Sequence, residues 1–190
     1  MAASPQPQLS PAEYFALDEA SELPVEYADG VALAMSGGTL NHSFLIAASA
    51  RELSNALRGK PCNVSVSTLR LQIPGGTAYL YPDAMVICGG AQLAQAAKDT
   101  ITNPTVIVEV LSGSTERWDR IGKFARYRTI PSVREYVLVA QDEMLIEWYT
   151  RRENGEWVYH VATGPDEALH LESLAITIPL PAIYQNIELA

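Results

Sequence analysis

The chain has 190 residues, of which 48% are hydrophobic, so it is long and apolar enough to bury one core of ordinary domain size. Its formal net charge is −9, which excludes nonspecific adhesion to nucleic acid or to an anionic membrane over the whole surface, because both require positive charge. No apolar run reaches bilayer-spanning length and the N-terminus does not resemble a signal peptide, so we expect a cytoplasmic protein without a membrane segment.

The N-terminal part of the chain is predicted to be loose and then to open a helix. Residues 1–9 are rich in proline and glutamine, and we expect them to be disordered. One domain is expected over residues 10–190. Ser10 and Glu13 have the spacing of a capping box, with Pro11 at the first helical position, so a short helix is predicted to begin there.

Strand patterns dominate the rest of the chain. A hairpin is predicted over 25–36 with its turn at 28–30, and a long helix over 41–57 that ends before Gly59. The alanine-rich residues 91–98 favour either a short helix or a loop. Further strands are predicted from apolar alternation or apolar runs at 63–73, 79–88, 105–111, 133–140, 145–150, 156–162 and 169–178.

A second helix is predicted after the apolar strand at 105–111. Ser114 or Thr115 could cap it, and it runs to about residue 129 before Pro131 breaks it. Pro-rich coil is expected after residue 178. The order of hairpins, helices and strands predicts an α/β (α+β) domain with a mixed β-sheet flanked by helices, with more strand than helix.

The two cysteines, Cys62 and Cys88, lie far apart in the sequence and lack the spacing of metal ligands. Each belongs to a turn or to a strand-like run. We therefore expect buried free thiols in a reducing compartment.

A carboxylate interrupts the most apolar predicted strand. Glu109 follows Val106-Ile107-Val108 and precedes Val110-Leu111. A bare buried charge costs many kcal/mol, so this carboxyl group must be paired, protonated or bound to a metal. A structural alternative is an ion pair between Glu109 and an arginine of the next helix.

A second acid, Asp83, stands between Pro82 and the apolar run that begins at Ala84. If its strand pairs with the strand of Glu109, the two carboxylates can converge on one point, as a hard cation such as Mg²⁺ requires. Pro-Asp is also common turn chemistry, so Asp83 could instead be a residue that only starts a strand.

The helix after the strand of Glu109 carries Asp119, Lys123 and Tyr127 at successive steps of four residues, which places them on one face. Lys123 could reach back to the acids, orient a water or hold a phosphate oxygen. The alternative is an ordinary surface pair of Asp119 and Lys123, worth a few tenths of a kcal/mol.

The same segment is locally basic in an otherwise acidic chain. It could present a phosphate-binding patch, with Arg117 and Arg120 as its candidates, or simply a solvated helix face. Its cationic residues are Arg117, Arg120, Lys123, Arg126, Arg128 and Arg134.

Two residues nearer the N-terminus are weaker candidates. Glu26, on the predicted first hairpin, could be a third acid or the outward residue of an alternating strand. His42, at the start of the long helix, would ordinarily be a surface or cap residue.

Together these pieces resemble a known family, the Uma-type restriction endonucleases, a bacterial branch of the PD-(D/E)XK nuclease superfamily. The resemblance extends from about Tyr14 to Ile178. It is carried by Glu26-Tyr27-Ala28-Asp29-Gly30, by His42 at a helix start, by Tyr81-Pro82-Asp83-Ala84-Met85-Val86, by Pro104-Thr105-Val106-Ile107-Val108-Glu109-Val110-Leu111-Ser112, by Ser114-Thr115 with Asp119, Lys123 and Tyr127, and by Glu135-Tyr136-Val137-Leu138-Val139.

The resemblance implies a restriction-endonuclease-like fold and roles for individual residues. Asp83 and Glu109 resemble the metal-binding acids, with the backbone carbonyl of Val110 as a further ligand. Glu26 resembles an additional acid contributed near the N-terminus, and His42 stands at the edge of the site.

The superfamily lysine normally follows the second acid by two residues, where this chain has Leu111. Lys123 then resembles a migrated replacement that reaches the same place from the following helix, with Asp119 and Tyr127 at the edge of the site.

The implied activity is Mg²⁺-dependent (or Mn²⁺-dependent) hydrolysis of phosphodiester bonds in DNA by a homodimer. The alternatives are a noncatalytic interaction or regulatory module that retains the fold, and a hydrolase that acts on another phosphoester.

Overall fold

The structure is a computed structural model that describes residues 8–35, 38–95 and 97–189, without the side chain of Lys98. Most of the predicted loose segment 1–9, and the end of the predicted hairpin at Ser36, lie outside these residues. Within them, the backbone N–H of Leu9 donates to the carbonyl of Gly30, at 2.8 Å.

Strands outnumber helices, as the sequence predicts. The helices are α1 (Pro11–Ala20), α2 (Leu40–Ala56), α3 (Phe124–Tyr127), which continues a π-helical segment (Trp118–Lys123), and α4 (Leu180–Ile183). The strands are β1 (Val25–Ala28), β2 (Val31–Ala34), β3 (Cys62–Val66), β4 (Arg70–Gln72), β5 (Ala78–Leu80), β6 (Ala84–Cys88), β7 (Leu93–Ala94), β8 (Ala97–Ile101), β9 (Val106–Val110), β10 (Glu135–Val139), β11 (Leu145–Arg151), β12 (Trp157–Thr163), β13 (Ala168–Leu171) and β14 (Ile176–Pro179).

Two six-stranded mixed sheets make up most of the fold. The first sheet has the order β2-β1-β5-β4-β8-β7, and the second has the order β12-β11-β10-β9-β6-β3, while β13 and β14 form a separate hairpin. Strands β9 and β10 pair in parallel, and so do β4 and β8. The predicted α/β (α+β) class with mixed sheet is confirmed, although the strands divide between two sheets.

Strand β9 runs through the centre of the second sheet, and its side chains alternate between two cores. Val106, Val108 and Val110 pack with Leu45 and other residues of α2 on one face. Ile107 packs on the other face, in the core that the second sheet shares with β4 and β5 of the first sheet. All five residues of β9 are buried, which is why the strand reads as continuously apolar.

Several predicted boundaries are confirmed in chain order. Ser10 caps α1 in a capping box with Glu13. The turn between β1 and β2 has positive φ at Asp29 and Gly30, as a two-residue hairpin requires. Thr39 caps α2, two residues before the predicted start of that helix at 41. Strands β9, β10, β11 and β12 lie where the apolar patterns predict them.

Two predicted strands were wrong as single elements. The run 63–73 divides into β3 and β4, and the run 79–88 divides into β5 and β6, and in both cases the two halves belong to different sheets. Ser67, whose φ is 41°, lies between β3 and β4, and Pro82 lies between β5 and β6. A three-residue step from Val66 to Leu69 and the pair Pro82-Asp83 lie at the two breaks, but neither shows that the two halves belong to different sheets.

Three other predictions are corrected by the structure. Residues 91–98 form neither a helix nor a plain loop, because they contain β7 and the start of β8. The predicted strand 169–178 is the hairpin of β13 and β14, with Ala175 in the left-handed region at φ 49°. The predicted Pro-rich coil begins with α4, whose Leu180 and Ile183 are buried.

The prediction of free thiols was wrong as well. Cys62 and Cys88 are direct partners across the antiparallel pair of β3 and β6, with Cα atoms 4.1 Å apart, and they form a disulfide. Sequence distance carries no information about cross-strand register, which alone decides whether two cysteines meet.

Across the part of the chain that the structure describes, none of the helices combines the length and the hydropathy needed to traverse a bilayer.

Candidate active site

The two strongest sequence candidates, Asp83 and Glu109, stand side by side across two paired strands. Ala84 of β6 pairs with Val108 of β9 in antiparallel register, so one further step brings Asp83 opposite Glu109. Oδ2 of Asp83 accepts a hydrogen bond from the backbone N–H of Val110 at 2.7 Å. The residues between β5 and β6 carry the chain from the first sheet to the second, and Asp83 ends this crossing.

Lys123 joins three carboxylates from three different parts of the chain. Its Nζ lies 3.1 Å from Oε1 of Glu109, 3.3 Å from Oε1 of Glu26 and 3.2 Å from Oδ1 of Asp119. All four side chains are at most 7% exposed. The predicted migrated lysine therefore meets two of the predicted acids, and Glu109 is paired with a lysine rather than with an arginine.

The lysine arrives from a π-helical segment (Trp118–Lys123). π-helical turns are rare and are frequent at functional sites. The sequence predicts a plain α-helix capped by Ser114 or Thr115, and the structure differs. The hydroxyl of Thr115 donates to Oδ2 of Asp119 at 2.7 Å instead of capping the helix.

Glu26 reaches the site from the first sheet. It lies on β1, where all four residues are buried, so it is not the outward residue of a half-exposed strand. Oε1 accepts from the backbone N–H of Tyr81 at 3.0 Å, and Oε2 accepts from the indole Nε1 of Trp118 at 3.4 Å. The site therefore joins residues of both sheets.

Tyr127 and Asp119 lie beside the acids. The hydroxyl of Tyr127 donates to Oε1 of Glu109 at 2.7 Å, and Tyr127 is completely buried. The backbone carbonyl of Asp119 accepts from the hydroxyl of Tyr136 at 2.9 Å. These contacts fix the carboxylate of Glu109 and the start of the π-helical segment in position.

His42, at the N-terminus of α2, lies on the opposite side of Asp83. Its Nε2 is 3.6 Å from Oδ1 of Asp83. The interaction with Asp83 raises the pKa of His42 although burial opposes this, and the backbone of Val110 makes a smaller contribution in the same direction. Among the described residues, Nδ1 of His42 is buried without a hydrogen-bond partner.

These residues line one pocket of about 380 Å³ between the two sheets. Its polar side holds the acids, Lys123 and His42. Leu33 and Met35 of the first hairpin, together with Trp118, form an apolar side. The complete lining consists of Glu26, Leu33, Ala34, Met35, Gly38, His42, Asp83, Glu109, Val110, Ser112, Ser114, Thr115, Trp118, Asp119 and Lys123.

Burial and crowding of negative charge shift the ionisation of the site. Burial raises the pKa of Glu109 well above its ordinary value, although Lys123 opposes the shift. Burial also raises the pKa of Asp119. Burial alone would lower the pKa of Lys123, but Glu109, Glu26 and Asp119 outweigh it and raise that pKa well above the ordinary value. Three carboxylates thus share the ammonium of Lys123, and Asp83 lies beside them with His42 as its neighbour, an arrangement that a further cation would balance.

The two arginines predicted as phosphate ligands differ in their surroundings. Arg120 forms ion pairs with Glu116 at 2.7 Å and with Glu147 at 2.5 Å, so its charge is largely used within the chain. Arg117 is exposed, and no carboxylate of the described residues lies within ion-pair distance of it. Neither residue lines the pocket.

The sequence did not predict the apolar side of the pocket, nor the backbone hydrogen bond from Tyr81 that holds the carboxylate of Glu26. Tyr81 acts through its backbone, which no side-chain motif could reveal. Its hydroxyl, in turn, donates to Asp18 at 2.6 Å and accepts from Nε of Arg70 at 3.0 Å in a buried cluster. Arg70 is an unusually polar residue within an alternating run, and that was the one available signal.

Two carboxylates and a backbone carbonyl of the pocket lining suit a hard divalent cation, although they do not form a complete cage of side-chain ligands. Within residues 8–35, 38–95 and 97–189, no three His, Cys, Asp or Glu side chains are arranged as a ready metal cage. Mg²⁺ commonly uses only one or two carboxylates and keeps several waters. Asp83 and Glu109, with the backbone of Val110 on the same lining, are donors of that kind.

Comparisons with known proteins agree with this architecture. Two relatives come from Synechocystis sp. (strain ATCC 27184 / PCC 6803 / Kazusa): uncharacterized protein slr1290 is 34% identical over 97% of this chain and 95% of its own length, and uncharacterized protein sll1609 is 30% identical over 88% and 95%. A crystal structure of a putative nuclease belonging to DUF820 from Anabaena variabilis ATCC 29413 superposes with a TM-score of 0.75, covering 93% of this chain and 97% of that one. At 15% identity, it shows a shared fold.

The family model described as "Uma2: Putative restriction endonuclease" matches residues 11–181, which is nearly the whole chain. The resemblance drawn from the sequence is therefore confirmed, and the chain belongs to the Uma2 family.

Proposed function

We propose that this protein is a divalent-metal-dependent endonuclease that hydrolyses phosphodiester bonds of DNA. The observation that carries the proposal is the meeting of Asp83, Glu109 and Lys123 in one pocket, with Nζ of Lys123 3.1 Å from Glu109. The description of the family and the nuclease fold of the structural neighbour support the same class of chemistry.

The donor set fits Mg²⁺ or Mn²⁺ better than a softer metal, because carboxylate and carbonyl oxygens predominate, the described pocket lining holds no thiol, and its one imidazole, His42, is paired with Asp83. Asp119 lies beside Asp83 and Glu109 on the same pocket lining, with its Oδ1 3.2 Å from Nζ of Lys123. Asp83, Glu109 and the carbonyl of Val110 would hold the ion. Bound there, it would supply Lewis-acid chemistry, making a water more acidic and neutralising charge on a phosphate.

Lys123 is proposed to position the attacking water or a phosphate oxygen. Its ammonium keeps the carboxylates of Glu109 and Glu26 together when the site is empty of substrate, and it has the donors to turn toward an anion. This gives Lys123 the role that the motif lysine would have at Leu111. Tyr127 holds Glu109 by its hydrogen bond at 2.7 Å and is proposed as a positioning residue.

The substrate and the oligomeric state are proposed from the family description. DNA is the substrate that fits the family description, and a homodimer would bring one site to each strand. The cytoplasm is the compartment expected for that substrate, but the disulfide between Cys62 and Cys88 conflicts with it, because the thiol pools of a reducing cytoplasm keep most cysteine pairs reduced. We therefore propose no compartment.

A noncatalytic module of the same fold is the second candidate, and one observation favours it. Lys123 is surrounded by three carboxylates at 3.1 to 3.3 Å, so the polar side of the pocket is already bridged within the chain. Such a network could stabilise a fold that no longer cleaves anything.

Cleavage and metal binding together test the proposal. Purified protein is incubated with supercoiled plasmid and Mg²⁺ or Mn²⁺, and thermal stability is measured with and without each ion. We expect nicking and a rise in Tm with metal, because a ligand that binds only the folded state stabilises it. Asp83→Asn and Glu109→Gln should lose both effects, while the exposed control Asp142→Asn should keep both.

A wild-type protein that shows neither nicking nor a metal-linked rise in Tm would support the noncatalytic module. A metal-linked rise without cleavage of the plasmid, but with cleavage of a small phosphodiester, would support a hydrolase for another phosphoester.

A further inference from the structure

We infer that the pocket takes an unpaired nucleotide, so that the preferred substrate is single-stranded DNA rather than intact duplex. This inference rests on the proposed nuclease function and specifies the substrate class of the same site. Three independent properties carry it: the depth of the acids, the apolar wall of the pocket, and the scarcity of free positive charge around it.

The acids are too deep for the backbone of a duplex. Asp83 is 6% exposed and Glu109 is 2% exposed, and both line a pocket of about 380 Å³. That volume lies near the lower end of the range for small-ligand pockets, about 300 to 1,000 Å³. A phosphodiester on the outside of a duplex would have to reach these buried carboxylates, whereas an unpaired strand can bend into the pocket without the cost of unpairing and unstacking a nucleotide.

The apolar wall offers contacts that only an unpaired nucleotide can use. Leu33 of β2, Met35 directly after that strand and the indole of Trp118 line the pocket next to the acids. In a duplex, the faces of the bases are stacked and covered. In a single strand, a base or sugar can lie against an aromatic or apolar surface, a contact worth about 1 to 3 kcal/mol per base.

The cationic side chains nearest the pocket are mostly paired with acids of the same chain. Arg120 is paired with Glu116 and Glu147, Arg126 is paired with Asp29, and Lys123 is surrounded by carboxylates. A protein that makes extensive contacts to duplex neutralises about 6 to 10 phosphates. The exposed arginines of this segment that have no ion pair among the described residues are Arg117, Arg128 and Arg134, and none of them lines the pocket, whereas a short single strand needs fewer phosphate contacts.

Matched substrates test the inference. One labelled oligonucleotide is presented as a single strand, as a blunt duplex of the same sequence, and as a duplex with a single-stranded extension, each with Mg²⁺ or Mn²⁺. Affinity for the same three substrates is measured by fluorescence anisotropy with Ca²⁺ in place of the activating ion. We expect cleavage and binding of the single strand and cuts confined to the extension of the third substrate.

The apolar wall has its own variant and control. Met35→Ala removes part of the wall and should weaken binding of the single strand about tenfold while leaving binding of the duplex unchanged. Val31→Ala, on β2 just before Met35 but outside the pocket, should bind as the wild type does.

The outcomes separate this inference from the proposed function. Cleavage of the blunt duplex as fast as the single strand would overturn the inference and leave the nuclease proposal intact. The absence of cleavage and of metal-dependent binding for all three substrates would overturn both. Nicking of supercoiled plasmid remains compatible with the inference, because supercoiling opens unpaired segments.

Discussion

The ammonium of Lys123 lies 3.1 Å from the carboxylate of Glu109, and both side chains are almost completely buried. The two residues come from different elements, a π-helical segment and a central strand. Because both groups are buried, each one reduces the free-energy cost of burying the other. This coupling of their contributions to stability can be measured without any substrate.

Replacing Lys123 by methionine should destabilise the protein strongly. Removal of one partner from a buried ion pair leaves uncompensated charge and costs about 3 to 5 kcal/mol. Lys123→Met combined with Glu109→Gln should cost clearly less than the sum of the two single changes, because the second change removes part of the stranded charge. Urea unfolding of all four proteins measures this coupling. Strictly additive losses would contradict it, and Arg117→Met, at an exposed position, serves as the control.

Glu135 should make stability depend on pH in one direction. It is completely buried, and burial raises its pKa above the ordinary 4.5 although Ser173 donates to it. The folded chain therefore holds this proton more tightly than the unfolded chain. Its stabilising contribution is complete below pH 4.5 and is lost as the pH rises through the folded pKa.

Glu135→Gln should therefore show a Tm that falls less than the wild-type Tm as the pH rises from 4.5. The exposed control Glu143→Gln should follow the wild type. Parallel curves for Glu135→Gln and wild type would show that burial does not raise this pKa.

The disulfide between Cys62 and Cys88 should contribute substantially to stability. It closes a loop with a sequence separation of 26 residues, for which restriction of the unfolded chain predicts about 3 to 4 kcal/mol. The double variant Cys62→Ser/Cys88→Ser should lose this amount in urea unfolding. Dithiothreitol should lower the stability of the wild type and leave that of the double variant unchanged. An equal loss of stability in both proteins would contradict the presence of the disulfide.

Gly122 should not tolerate a side chain. A Cβ atom at this position would lie 2.0 Å from the ring of Trp118, which packs directly over the glycine. Gly122→Ala should therefore displace the indole from the pocket wall or strain the π-helical segment, at a cost of about 1 to 3 kcal/mol. Tryptophan fluorescence and Tm measure the two effects. Gly113→Ala, with open space around the added Cβ, is the control, and equal Tm values for both variants would refute the close contact.

Part of the site could be predicted because its chemistry conflicts with its surroundings. Glu109 stood out as a carboxylate within a buried strand, whereas Lys123 was implied by the resemblance to the family, since its spacing alone left an ordinary surface pair with Asp119 open. The division of 79–88 into β5 and β6 was not predicted although Pro82 and Asp83, which are common turn residues, lie between them, since nothing local shows that the two halves belong to different sheets. The helix was predicted as regular, because the tertiary contacts of Trp118 and Asp119 that accompany its π turn lie far away in the sequence.

The sequence by itself determined the family, the class of fold and the identity of the acidic residues, because apolar periodicity and isolated buried charges are local properties. Only the tertiary structure decided which of those residues meet. It placed Asp83 opposite Glu109 through strand register, brought Glu26 from the other sheet, joined the two cysteines and paired five of the ten arginines with acids. These arrangements depend on contacts between distant segments, whose geometry follows from how two sheets pack and not from the order of residues within either one.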